Sequence, residues 1–257
     1  MTTAYDDKGS GPALVLIHGH PFDRSMWRPQ LDHFGDRGWR VVAPDLRGYG
    51  KHAADGEKTP LETFAKDITG LLDQLGTDRF VLAGLSMGGQ IAMEVHRLFP
   101  ERIRALILAD TSPRAETAEG RRNRTEMAKR LLREGLRPYA DEVLTKMVSP
   151  ATVKALPEVA EHVHRMMRTT SPQGAAAALR GRAERPDYVP MLPEIRVPAL
   201  VVVGDQDEYT PIAEAEFTHS LIPDAELVIV EGAAHLPNLE RPDDFNAALA
   251  KFLDGLG

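Results

Sequence analysis

Apolar residues gather along this chain in short unbroken runs at 14–17, 41–43, 80–83, 105–109, 199–203 and 227–230. None of these runs alternates with polar residues, which is the pattern of strands buried on both faces of a parallel sheet. Each is followed by a punctuating residue: Gly19, Pro44, Gly84, Asp110, Gly204 and Glu231-Gly232. Between the runs the spacing turns helical. Leu61, Phe64, Ala65, Ile68, Leu71, Leu72 and Leu75 recur every three or four positions and stop at Gly76. Ile91, Val95 and Leu98 mark a second stripe, closed by Pro100, and Phe245, Leu249 and Phe252 mark a third. Strands alternating with helices predict an α/β fold: a mostly parallel open sheet of about seven to eight strands, covered by helices on both faces. Ligands bind such sheets beyond the carboxyl ends of the strands, so chemistry is sought just after each apolar run.

Residues 112–186 break the pattern. They contain no strong strand, read as helical, and are rich in Arg, Glu, Ala and Met. Pro186, Pro190, Pro193 and Pro198 mark the return to the sheet. The expected organisation is therefore a core made of 1–111 and 187–257, with 112–186 inserted as a helical cap. Within the cap, Met127, Leu131, Leu132, Val143, Leu144, Met147, Met166 and Met167 supply apolar faces, and adaptable methionines suit an irregular pocket roof. The run of alanines at 175–178 has high helix propensity and says little else.

Charge sharpens this division. The segment 112–186 carries 15 Lys+Arg against 9 Asp+Glu, a net +6, in a chain whose formal charge is −7. The acidic total gives no broad basic face for nucleic acid. Cysteine is absent, so disulfides, thiolate nucleophiles and thiolate metal sites are excluded. His162 and His164 are two apart, which on a helix points them to different sides, so no metal is expected. No apolar run approaches the ~18–20 residues of a membrane span. The first seven residues are polar and acidic, without a signal-peptide core. A cytoplasmic protein with no membrane partner is the expectation.

The strongest chemical signal is Gly84-Leu85-Ser86-Met87-Gly88, followed by Gly89. It joins the run at 80–83 to a helical stripe, the setting that a G-x-S-x-G nucleophile elbow requires. Glycines permit the sharp turn, and the helix that follows aims its free N–H groups at the place where negative charge develops. A Gly-rich turn with an incidental serine is the blander reading, which the strand–turn–helix setting disfavours. A serine hydroxyl needs a base, and the base needs an orienting acid. His235 follows the last apolar run and so lies at the right end of the sheet. His33, His52, His96, His162, His164 and His219 fall in helical or loop stretches and read as surface or packing residues. For the acid, Asp207 in the turn after 199–203 is chosen over Asp205, which is closer to the strand and suited to satisfying turn N–H groups. Asp110 is the rival acid, its alternative role being to cap Thr111 and Ser112. The order Ser86, Asp207, His235 is that of one serine-hydrolase fold.

Over nearly its whole length the chain resembles the α/β-hydrolase superfamily. The resemblance rests on His18-Gly19-His20-Pro21-Phe22, Asp45-Leu46-Arg47-Gly48-Tyr49-Gly50, the Ser86 elbow, the turn at 204–211 and the loop at 232–237. It implies an oxyanion hole formed by the backbone N–H groups of His20 and Met87. It also implies structural roles for His18, Asp45 and Arg47, with the His20 side chain lining the site mouth. The chain departs from the family pattern in its short N-terminal part, which has room for one strand before residue 14, and in Lys51-His52, which replace a small residue near the pocket rim.

Serine at position 86 argues against haloalkane dehalogenase and epoxide hydrolase relatives, which place aspartate there. The resemblance implies a carboxylesterase- or lactonase-like serine hydrolase. Its partner is a small-molecule ester or lactone, and it needs no cofactor. Cleavage of carbon–carbon bonds, peracid formation and lyase chemistry use the same triad and stay open. So does a ligand receptor retaining a slow triad, while a catalytically silent interaction protein fits the intact triad poorly. Oligomeric state is not legible in the sequence.

Overall fold

The computed structural model describes residues 3–54 and 56–256. Met1 and Thr2, part of the N-terminal stretch read above, lie outside that range, as do Asp55 and Gly257. The described residues form seven strands: β1 (Tyr5–Lys8), β2 (Ala13–Ile17), β3 (Arg40–Pro44), β4 (Phe80–Leu85), β5 (Ile103–Ala109), β6 (Ala199–Gly204) and β7 (Ala225–Val230). They form one sheet in the order β1-β3-β2-β4-β5-β6-β7, parallel throughout except for β1, which pairs antiparallel with β3 at the edge. This is the expected fold class, and one strand, β1, precedes β2 among the described residues.

The pleat sorts the strand residues onto two faces. Leu14 and Leu16 point into one core with Phe22, Trp27, Phe34 and Phe245. Val15 and Ile17 point into a second core with Phe64, Phe80, Ile91 and Tyr188. The helices α1 (Arg28–Gly35) and α11 (Pro242–Asp254) cover the first face, and α2 (Leu61–Gln74) and α3 (Met87–Leu98) the second. β7 departs from the expectation of burial on both faces. It is an edge strand, and Ile229 on it is 41% exposed.

Five helices intervene between β5 and β6: α4 (Ala118–Glu134), α5 (Arg137–Met147), α6 (Pro150–Ala155), α7 (Pro157–Thr169) and α8 (Pro172–Ala183). Thr117, Ser149 and Ser171 cap α4, α6 and α8 through their hydroxyls. The alanine run proves informative after all. It lies on α8, buried: Ala175 and Ala176 pack with Ala128 and Leu131 of α4, Ala178 joins the second sheet core, and Gly174 comes so close to Gly48 that a Cβ there would lie 2.6 Å from the Gly48 Cα. Leu132 corrects the expected apolar face, being 42% exposed. The chain returns through a 3-10 turn at Val189–Glu194. After β6 it adds α9 (Ile212–Leu221) and, beyond β7, the single turn α10 (Pro237–Glu240). No helix among the described residues is long and apolar enough to cross a membrane.

Candidate active site

Ser86 sits between β4 and α3 with φ 56° and ψ −115°, a positive φ that a non-glycine residue adopts only under constraint. The constraint is visible on both sides. Its N–H donates to the Ala109 carbonyl at 2.9 Å, and its own carbonyl accepts from the Thr111 hydroxyl at 2.7 Å. Glycine is obligatory around it, because a Cβ on Gly89 would stand 2.6 Å from the Thr111 side chain, and Cβ atoms on Gly84 and Gly88 would overlap backbone.

His235 follows β7 in a buried loop, and its Nδ1 is hydrogen-bonded to Asp207 Oδ2 at 2.8 Å. Asp207 also accepts from the Tyr209 N–H at 2.8 Å and from the Thr210 hydroxyl. Burial alone would raise its pKa. The neighbouring His235 and these donors outweigh burial and hold the carboxyl below its usual range. Tyr209 packs against the His235 ring, with centroids 5.2 Å apart. Ser86 and His235 face one cavity of about 610 Å³, within the size range of small-molecule sites. Among the described residues the His235 ring is hydrogen-bonded to Asp207 and not to Ser86 Oγ, a contact that commonly tightens on substrate binding.

His20 and Met87 flank Ser86. Met87 is the first residue of α3, so its N–H has no partner within the helix. The N–H groups of Met87 and His20 are likewise unengaged in the turns and loops among the described residues. The His20 side chain is buried and lines the cavity. Its Nδ1 bonds the Tyr49 hydroxyl at 2.7 Å, and its Nε2 has no partner. Burial, with Arg182 and Arg124 nearby, keeps His20 well below the usual imidazole range. His18 is pinned from two sides. Leu46 N–H donates to its Nε2 at 3.0 Å, which leaves Nδ1 to carry the proton and donate to the Gly19 carbonyl at 2.9 Å. Asp45 accepts from Arg24 N–H and Lys51 N–H, and Arg47 pairs with Asp67 at 2.6 Å. His52 is buried against the Asp45 carbonyl rather than on the pocket rim.

The two other candidate acids are engaged elsewhere. Asp205 accepts from the Gly232 N–H at 2.8 Å. Asp110, itself at φ 44°, accepts from the Gly204 N–H at 2.9 Å instead of capping Thr111 and Ser112, and its Oδ2 is buried without a partner. Burial and the adjacent Asp207 charge raise its pKa well above the carboxylate range. One ligand atom each from Asp110, Asp207 and His235 lies within 4.8 Å of the others, a spacing that a metal ion could use. The facing atoms of Asp207 and His235 are already hydrogen-bonded to one another.

Several cavity residues carry no local sequence signal. Gln90, Glu116, Arg124, Arg182 and Arg185 converge there from α3, the loop before α4, α4, α8 and the segment after α8. Glu240, on α10, accepts from the Ala234 N–H and the Ser149 N–H, both at 2.7 Å, and so ties the His235 loop to the turn before α6.

A family model described as alpha/beta hydrolase fold matches residues 12–242, and the chain belongs to that family. It is 30% identical over 238 residues to 3-oxoadipate enol-lactonase 2 of Acinetobacter baylyi, covering 93% of this chain and 87% of that protein. Among solved structures it resembles a thermophilic esterase from Thermogutta terrifontis determined with malate bound. That match has a TM-score of 0.97 and 38% identity, and covers 99% of this chain and 93% of the other. It also resembles the enol-lactonase from Burkholderia xenovorans LB400, with a TM-score of 0.91 and 29% identity, covering 98% and 96% of the two chains.

Proposed function

We propose that this protein hydrolyses a carboxylic ester or lactone through an acyl-enzyme on Ser86. The observation that carries the proposal is the constrained Ser86 facing one cavity with a histidine whose ring Asp207 holds at 2.8 Å. Esterases and enol-lactonases among its relatives support the same bond type. His235 takes the Ser86 proton as the oxygen attacks the carbonyl, and Asp207 fixes the ring so that Nε2 faces the serine. The Met87 and His20 N–H groups receive the oxyanion, each such donor being worth ~3–4 kcal/mol of transition-state stabilisation. Collapse expels the alcohol, protonated by His235. For a lactone that alcohol stays attached to the acyl chain. Water activated by His235 then releases the acid.

In this reading 1–111 and 187–257 form the catalytic core, and 112–186 is a cap whose helix α4 roofs the cavity through Asn123, Arg124 and Met127. Lining residues from α5, among them Val143 and Met147, complete the apolar part of that roof. A fluorophosphonate probe tests the mechanism. It should add once, at Ser86, and Ser86→Ala should lose turnover of a simple aryl ester. An aryl esterase activity near wild type in Ser86→Ala sinks the proposal.

A further inference from the structure

Within the cavity, Arg182 has no counter-ion among the described residues. Arg124 and Arg185 share Glu116, Arg185 at 2.8 Å. Arg182 retains only 8% of its surface exposed and has no carboxylate. Its Nε donates to Gln90 Oε1 at 3.0 Å, while neither Nη group donates to another of the described residues. A buried guanidinium with free donors is costly unless an anion reaches it. Burial, followed by Arg124 and Arg185, pushes the Arg182 pKa well below the usual range, the sign expected of a cation left without a partner.

The tether fixes where that anion would lie. The Gln90 N–H donates to the Ser86 carbonyl at 3.2 Å, so Gln90 stands one helical turn beyond the nucleophile, about 6 Å along α3. Its side chain holds Arg182 on the same cavity that Ser86 lines. A guanidinium presents donors in a planar fork that matches a carboxylate. We propose that Arg182 binds a free carboxylate on the substrate, so that the preferred substrates are half-esters or lactones of short dicarboxylic acids. The inference rests on the ester-hydrolysis reading of the Ser86 site and names its substrate class. The carboxylate lies on the acyl side, a few bonds from the carbonyl that Ser86 attacks.

The test compares monoethyl adipate, which is anionic, with ethyl hexanoate, which has the same acyl length and no charge. The ratio of their kcat/KM values should fall about 10- to 100-fold in Arg182→Gln, the range for losing a charged hydrogen-bonded contact. Arg182→Lys should restore part of it, with the change carried by KM. A ratio that stays within threefold of wild type in Arg182→Gln overturns the proposal, since a merely structural role would lower both substrates together. A second arm needs no turnover. The uncleaved amides adipamic acid and hexanamide are titrated into Ser86→Ala and into Ser86→Ala combined with Arg182→Gln. Tighter binding of adipamic acid that vanishes with Arg182 supports the subsite even if wild type hydrolyses neither ester, a result that would instead overturn the ester reading. Adipamic acid binding that is indifferent to Arg182 overturns the subsite.

Discussion

Two buried aspartates, side by side, have pKa values shifted in opposite directions because their partners differ. Asp207 accepts from two donors and from the His235 ring, which hold its pKa down, whereas Asp110 has one backbone donor and a carboxylate neighbour, which with burial raises its pKa. Asn at position 207 could no longer accept a proton-bearing Nδ1 in the same way, and Asp207→Asn should lower kcat by about 10⁴, the loss seen when an orienting aspartate is neutralised. Asp110→Asn should cost far less, because a neutral amide already resembles the protonated carboxyl and can still accept from Gly204. Steady-state kinetics on one aryl ester decides it, and a larger loss at Asp110 would reassign the acid. Stability follows with a definite sign. The raised Asp110 pKa means that its contribution is fully present below the unfolded value of about 3.9 and is lost as pH rises above it. Asp207, with its lowered pKa, works the other way and gives up stability only as pH falls below about 3.9. Urea melts should therefore show Asp110→Asn gaining on wild type as pH climbs from 4 to 8. A gap that is constant with pH would mean that Asp110 is ionised in the folded protein.

At the scale of elements, close backbone approach decides which substitutions the fold accepts. Gly174→Ala on α8 pushes a Cβ into Gly48 and should cost about 1–3 kcal/mol, or roughly 2–4 °C of Tm per kcal/mol. Gly70→Ala on α2 meets nothing within 4 Å and should instead raise stability by about 0.4–1 kcal/mol. Calorimetry on both separates a packing constraint from helix propensity, and destabilisation by both would refute the distinction. The same contrast explains what was legible in the sequence. β2 to β6 and helices α2, α3 and α11 announce themselves through unbroken apolar runs or a stripe at helical spacing. α9 does not, because among its ten residues only Ala215 and Thr218 are buried, too few to print a stripe. The run that becomes β7 looks like a central strand, yet edge placement is a property of sheet order and not of local composition. The residues at the elbow and in the turns after β6 and β7 were legible because chemistry and strand ends coincide there. Arg182 was not, since its significance lies in Gln90 and Glu116 being far away in sequence. Its trace is a cluster of arginines, Arg180, Arg182 and Arg185, at and just beyond the end of an alanine-rich helix.

Across the whole molecule the charge is segregated, and several basic side chains of 112–186 are paired within the segment, which leaves its net +6 in place. Lys129 pairs with Glu126, Arg130 with Glu134 and Glu142, and Arg133 with Glu134. Such exposed pairs are screened by solvent and hold their partners' charges at short range. Arg124 turns inward, however, on the face of α4 that lines the cavity. An anion approaching that mouth therefore meets cations at short range, while the acidic remainder of the chain acts from further away. The Debye length of about 10 Å at 0.1 M salt favours the near charges over the distant ones. Raising salt from 0.05 to 0.5 M should then lower kcat/KM for monoethyl adipate by a few-fold and leave ethyl hexanoate unchanged. The buried Arg182 is screened much less than surface charges, so an anionic preference should survive at the higher salt and appear in KM. Equal salt responses of the two esters would show that no field steers the substrate. A rise for the anionic ester would show that repulsion by the net −7 chain, rather than attraction by the mouth, governs its approach.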